Sequence, residues 1–255
     1  MMVATHKDYC FPSEPYYLPV QVGKALSKSD FGVVGDDTGD NISHLNPYFC
    51  ELTGLYWLWK NQKSEYFGLS HYRRYFKAIN DKNLLVMGVP IATDVDLLDL
   101  MDTYDVLAAK KRCYFFDTVF NHYKYSHYVS DLRELRIIVS ELYPDYSIAF
   151  NEVLNQRCLS LFNMFVMNSD FFQQYNEWLF SLLFELEKRI SYSNYGVYQR
   201  RVFGFLSERL FNVWLTYHSR SLKIKLLPVV HIEGEHFISK LMGLLKRKLL
   251  SHKPP

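Results

Sequence analysis

Gly35-Asp36-Asp37-Thr38-Gly39-Asp40-Asn41-Ile42-Ser43 opens a stretch that runs through Glu51-Leu52-Thr53 and Tyr56-Trp57-Leu58-Trp59-Lys60-Asn61. It closes on Gly68-Leu69-Ser70-His71-Tyr72-Arg73-Arg74-Tyr75-Phe76. Glycines at 35 and 39 permit backbone turns that other residues resist, and the Asp and Asn side chains between them suit the cap of a following helix. The helix is expected from Pro47 to Asn61, because proline fits a first turn and Leu52, Leu55, Tyr56 and Trp59 recur at helical spacing. Tyr66-Phe67-Gly68-Leu69 then reads as a buried strand that delivers Ser70 to Arg74 at its end. A polar turn, an apolar helix and a basic strand end in succession are the pattern of an α/β fold, and they mark the floor of a site for an anionic ligand.

The same alternation extends outward. Met1 to Thr5 is a short apolar strand whose carboxyl end presents Thr5, His6 and Lys7, the position where open α/β sheets hold ligands. Ile91 to Tyr104 has helical spacing, with Asp94, Asp96, Asp99 and Asp102 read as a solvated face. Asp105 to Ala109 is a strand, and a helix through Leu135, Ile138 and Leu142 stops before Pro144. Phe162 to Met167 reads as a central strand, and Asn168-Ser169-Asp170 cap a long buried helix from Phe171 to Ile190. Tyr198 to Trp214 is helical, and Leu222 to Val230 is a final strand. The fold expected is one α/β domain, a mixed and mostly parallel sheet flanked by helices. A basic amphipathic segment follows over residues 236–255, where Phe237, Leu241, Leu245 and Leu249 form one row. Such a segment either lies on an anionic membrane or docks on its own domain.

Composition narrows the class. The 255 residues carry a formal charge of +2, without the cationic excess of a nucleic-acid binder, so no nucleic-acid partner is expected. Aromatic residues make up 17% of the chain, supplying the flat faces with polar tips that sugar and nucleotide sites use. Cys10, Cys50, Cys113 and Cys158 lack metal-ligand spacing and follow no secretory signal, which predicts reduced thiols in the cytosol. No apolar run reaches the roughly 20 residues that span a bilayer.

The sharpest chemical signal is His71 with Arg73 and Arg74. Guanidinium forks match phosphate oxygens and keep their charge at any working pH, so this strand end resembles a diphosphate clamp. Strand alternation implies that one of the two arginines reaches the ligand. The competing reading pairs an arginine with Asp36, Asp37 or Glu51. Asp36, Asp37 and Asp40 suit Mg²⁺ or Mn²⁺ as hard oxygen ligands, and the sequence leaves metal-assisted and metal-free chemistry both open. Dinucleotide, P-loop and nucleophile-elbow motifs are absent. A base for a hydroxyl proton is sought in Asp131, His127 and Glu208, with a Glu208-Arg209 salt bridge as the competing role for that pair.

Asn41-Ile42-Ser43, Asn46, Glu51-Leu52-Thr53, Tyr56-Trp57, Trp59-Lys60-Asn61, Gly68-Leu69, His71 to Phe76, Asn163-Met164-Phe165 and Arg201 to Leu210 together resemble a bacterial family. It was long catalogued as a domain of unknown function and occurs in capsule, exopolysaccharide and O-antigen clusters. Its members are regarded as glycosyltransferases and include galactofuranosyltransferases. The resemblance spans about Thr5 to Val230. It implies a GT-A-like fold over residues 1–235, a nucleotide-sugar donor such as a UDP-sugar, and a lipid-linked or growing polysaccharide acceptor. It also implies peripheral contact with the cytoplasmic face of the inner membrane. The donor site would draw on Thr5, His6, Lys7, Asp36, Asp37, Asn41, Ser43, His71, Arg73, Arg74 and Arg209. His71 to Arg74 stand where many GT-A enzymes carry an acidic D-x-D, a departure that lets cations replace a metal ion. The alternative from another class is a non-catalytic glycan-binding or scaffold subunit.

Overall fold

In the computed structural model, residues 1–80, 84–114 and 116–234 are described. The amphipathic segment expected over 236–255 therefore lies outside the described residues. In chain order the elements begin with β1 (Met2–Thr5), β2 (Leu18–Gln21), β3 (Val34–Gly35), α1 (Asn46–Phe49), α2 (Leu52–Asn61), β4 (Tyr66–His71) and β5 (Arg74–Phe76). They continue with β6 (Leu84–Val86), β7 (Val89–Ile91), α3 (Asp94–Met101), β8 (Val106–Ala109), β9 (Arg112–Cys113), α4 (Val119–Ser126), α5 (Val129–Leu142) and α6 (Ser147–Asn155). The last are β10 (Cys158–Leu159), β11 (Phe165–Asn168), α7 (Ser169–Arg189), α8 (Val202–Tyr217), β12 (Ile224–Leu227) and β13 (Val229–His231).

The main sheet runs β12-β8-β11-β4-β1-β2-β3, with β5 and β13 continuing from β4. The β1–β2, β1–β4, β2–β3 and β12–β8 pairs are parallel, and β11 is antiparallel to both its neighbours. This is the mixed, mostly parallel sheet that the sequence led us to expect. Side chains alternate between its faces with period two. Val106, Ala108, Phe165 and Met167 pack into a large core beneath helices α2 and α4 to α8. Leu107, Ala109 and Val166 face α3 on the other side. β1, β4 and β8 all end, and β11 begins, at the same edge of the sheet.

Four elements depart from the sequence reading, each for a local reason. The helix expected over 47–61 is broken at Cys50, whose φ of 54° and ψ of −133° leave helical space. Asn46 Nδ2 bridges the break, donating to the Cys50 carbonyl at 2.7 Å and to Thr53 Oγ1 at 3.1 Å. Glu51 thereby becomes the N-cap residue of α2. The expected strand at Phe162 starts only at Phe165, because Phe162 and Asn163 adopt φ of 76° and 54°. The final strand divides at Pro228, which has no N–H to give the ladder, into β12 against β8 and β13 against β5. Asp96, read as part of a solvated face, is 2% exposed: it forms a capping box with Thr93 and accepts from Asn80 Nδ2 at 2.7 Å.

The cysteine reading also needs correction. Cys113 and Cys158 form a disulfide that staples β9 to β10, while Cys10 and Cys50 are free. Antiparallel pairing sets the two residues directly opposite, with Cα atoms 4.0 Å apart, although 45 residues separate them in sequence. Cysteine usage therefore gives no support to a reducing compartment. No helix among the described residues is long and apolar enough to cross a membrane.

Helix α2 reaches the sheet closely through Gly54. A Cβ there would lie 2.7 Å from Val22 Cγ1 and 3.2 Å from the Met2 methyl. The overpacking expected in Gly54→Ala, about 1–3 kcal/mol, exceeds the roughly 1 kcal/mol that alanine gains over glycine in a helix. Urea unfolding should show a net loss of stability; a more stable variant would mean that the contact yields freely.

Candidate active site

The basic stretch after β4 is a tight hairpin, not an extended strand end. His71 pairs directly with Arg74 across it, and Tyr72 and Arg73 form the turn. Cross-strand partners share a face of the sheet, so His71 and Arg74 form one surface while Arg73 is carried away on the turn. The two arginines differ accordingly. Arg73 donates to Glu233 Oε2 at 3.1 Å, an exposed pair that also receives Tyr9 Oη at 3.3 Å. Arg74 forms no salt bridge among the described residues. Its guanidinium lies 4.4 Å from the centre of the Phe162 ring, and its buried Nε has no hydrogen-bond partner among them.

Around this hairpin, the left-handed turn at Phe162 and Asn163 acts as a hub. The Phe162 carbonyl meets His71 Nε2 at 2.6 Å, and its N–H donates to Glu208 Oε1 at 2.9 Å. A carbonyl can only accept, so Nε2 carries the imidazole proton and Nδ1 does not. Burial, aided by the Arg74 charge, lowers the His71 pKa to about 4 and keeps the ring neutral near neutral pH. Asn163 is fully buried; its Nδ2 donates to Glu51 Oε1 and to Ser207 Oγ, each at 2.9 Å. The end of β4, the head of α2 and the early turns of α8 are thus tied to one point.

Positive charge collects at this edge. His6, exposed beyond β1, has its pKa lowered by partial burial and by the nearby cations Lys7, Arg73 and Arg201. Thr5 is buried; its hydroxyl donates to the Lys7 carbonyl at 2.6 Å and fixes the bend that carries His6 and Lys7 out of the strand. Arg112 approaches the Phe162 ring at 5.9 Å, and Arg201 Nε lies 3.3 Å from Cys50 Sγ at the head of α8. Burial raises the pKa of both Glu51 and Glu208 among these cations.

Other residues singled out in the sequence have different surroundings. Asp36 is fully buried two strands away, where Oδ2 accepts from Gly23 N at 2.9 Å and Thr53 Oγ1 at 2.6 Å. Its Oδ1 accepts from Lys24 N at 3.0 Å and from Ser43 Oγ. Asn41 closes a local turn, donating to the Gly39 carbonyl and accepting from Ser43 N, while Asp37 is exposed. Asp40 accepts from Tyr56 Oη on α2 at 3.2 Å. The acidic loop is a clasp between β3 and α2, and among the described residues no three His, Cys, Asp or Glu side chains form a metal-binding group. A divalent cation held by Asp36, Asp37 and Asp40 does not fit this arrangement.

Asp131 is 2% exposed in the first turn of α5 and accepts from Tyr195 Oη at 2.8 Å. Burial raises its pKa. His127 is 5% exposed, bonds to Gln199 Oε1 at 3.1 Å, and packs on Phe205. Arg209 is 2% exposed, donates to the Phe205 carbonyl at 2.7 Å and pairs with Glu208 at 3.2 Å, so it braces α8. The hairpin, the β1 end and Glu208 are brought together; Asp131 and Arg209 lie within the helical wall. Asn163, Ser207 and Arg201 join the site with no role expected of them from sequence, and Glu51, expected at most as an ion-pair partner of an arginine, accepts instead from Asn163 Nδ2, although each stands in a motif quoted above.

A family model described as a domain of unknown function, DUF4422, matches residues 1–219. The solved apo structure of WbbM, a bifunctional glycosyltransferase, is 35% identical and superposes with a TM-score of 0.80. The match covers 92% of this chain and 45% of the WbbM chain, so this chain spans less than half of that protein's length. No curated protein matches.

Proposed function

We propose, for a chain that belongs to the DUF4422 family, that it is a glycosyltransferase taking a sugar from a nucleotide-sugar donor. The observation that carries this reading is Arg74, a half-buried guanidinium at this edge of the sheet that forms no salt bridge among the described residues and whose buried Nε has no hydrogen-bond partner among them. Burying a cation with no carboxylate in direct contact is costly, and an anionic ligand would reduce that cost. A nucleoside diphosphate supplies the complementary charge, and the 35% identity to a glycosyltransferase supports a sugar as the group it carries.

Arg74 and, at the rim, Lys7, His6 and Arg73 would hold the diphosphate and stabilise the charge that develops as the sugar departs. His71, held neutral, positions the Phe162 carbonyl and not the phosphate. A UDP-sugar is the donor we favour, with galactofuranose among the candidate sugars. A lipid-linked or growing surface polysaccharide at the cytoplasmic face of the inner membrane is the acceptor we favour. Cations in place of an acidic metal site make the reaction independent of added metal.

Calorimetric titration with UDP in EDTA is expected to show binding, and transfer from a panel of UDP-sugars to a lipid-linked acceptor is expected to persist in the chelator. Glycan binding with no affinity for UDP would instead identify a scaffold subunit. Transfer abolished by EDTA and restored by Mn²⁺ would overturn the metal-free reading.

A further inference from the structure

We infer that Glu51 is the general base that takes the acceptor hydroxyl's proton; this deepens, and rests on, the glycosyltransferase reading. The break at Cys50 turns the Glu51 backbone out of α1 and sets the residue at the head of α2, opposite the Phe162–Asn163 hub. One carboxylate oxygen is fixed by Asn163 Nδ2 at 2.9 Å. The other accepts no hydrogen bond from a different residue among those described.

Elimination among the remaining carboxylates leads to the same residue. Glu208 has both oxygens engaged, by Phe162 N–H and by Arg209. Asp36 is saturated by four donors. Asp131 is buried behind Tyr195 on α5. Glu233 is bound by Arg73, which holds its carboxyl below the usual range and makes it a poor base. Among these carboxylates of the described residues, Glu51 alone joins an oxygen that no other residue donates to with a half-buried position at the edge that carries Arg74.

Proton and bond changes balance through it. The acceptor oxygen bonds to the anomeric carbon as its proton passes to the Glu51 carboxylate. The carbon–oxygen bond to the diphosphate breaks, and its electron pair leaves with the nucleoside diphosphate, whose new charge faces Arg74. The groups acting on Glu51 are Arg74 on β5, Arg201 and Glu208 at α8, Cys50 beside it and Tyr175 on α7. Burial is the largest influence and raises its pKa. Only the deprotonated form works as a base, so activity should rise with pH along an acid limb centred above the ordinary carboxylate value of about 4.3.

The test compares wild type, Glu51→Gln and Glu51→Asp in UDP-sugar transfer, with UDP affinity and thermal melts measured alongside. Glutamine keeps an oxygen for Asn163 but cannot take a proton. Glu51→Gln is expected to lower kcat by about 10²–10⁴-fold with UDP affinity within about twofold, and to remove the acid limb. Aspartate should recover part of the rate and the limb. Transfer by wild type with Glu51→Gln matching it, or a loss confined to UDP affinity, overturns the assignment alone. If Glu51→Gln fails to fold, Glu51→Asp decides, because burial raises the pKa of Glu208 and Asp131 as well: an acid limb that shifts in Glu51→Asp supports Glu51, and a limb that is absent or unshifted overturns it. A wild type that transfers no sugar overturns the glycosyltransferase reading and the assignment with it.

Discussion

Replacing Arg74 with alanine is expected to lower sugar transfer by about 10²–10³-fold, the loss typical of removing one fixed donor to transition-state charge. Replacing Arg73 should cost less than about tenfold. The asymmetry follows from the hairpin. Arg74 pairs with His71 on one face of the sheet, whereas Arg73 sits on the turn in an exposed bond to Glu233. Arg73 must leave a carboxylate before it can hold a phosphate, and what it gains there is offset by what it gives up. Arg74 has no such partner among the described residues; its guanidinium rests on the Phe162 ring.

Arg74→Lys separates charge from shape, because lysine keeps the charge but loses the planar fork and the stack. It should recover only part of the rate. Equal losses in Arg73→Ala and Arg74→Ala, with intact folds, would show that the turn and the strand contribute alike. Undiminished transfer by both variants would remove the diphosphate clamp altogether.

Asp36→Ala should destabilise the fold by about 3–5 kcal/mol, since it removes a buried carboxylate and strands its partners. Gly23 N, Lys24 N, Ser43 Oγ and Thr53 Oγ1 all lose their acceptor in a region closed to water. The melting temperature should fall by roughly 10 °C, and Mn²⁺ should not move the melting temperature of the wild type. A variant that melts like wild type while losing a Mn²⁺-dependent activity would make Asp36 a metal ligand after all. Asp36→Asn is the milder control, because it keeps one acceptor oxygen but turns an amide toward two donors.

The two carboxylates Asp36 and Glu51 show where sequence reasoning stops. Both stand in the same stretch, one in an Asp-rich turn that suits a cation and one on an apolar helix. Nothing local separates a carboxylate saturated by two backbone N–H groups and two hydroxyls from one whose second oxygen no other described residue donates to. The difference lies in partners such as Gly23 and Asn163, which residue order alone does not bring near. His71 is a similar case. Its place beside two arginines was legible in the sequence, but its bond to the Phe162 carbonyl depends on a left-handed turn 91 residues away.

Residue order by itself determined the alternation of strands and helices, the capped helix after Asn168, the absence of nucleotide-binding motifs, and a cluster of basic residues following β4. These depend on periodicity and local turn chemistry, which act over a few residues. Tertiary structure alone decided that Cys113 meets Cys158, that Cys50 breaks a helix and sets Glu51 at the head of α2, and that Asp36 braces the fold. It also decided that Arg74 pairs with His71 on the sheet while Arg73 sits on the turn, bound to Glu233. Each of these depends on which strands lie side by side. That is fixed by the burial of two sheet faces at once, a property of the whole chain that no single stretch contains.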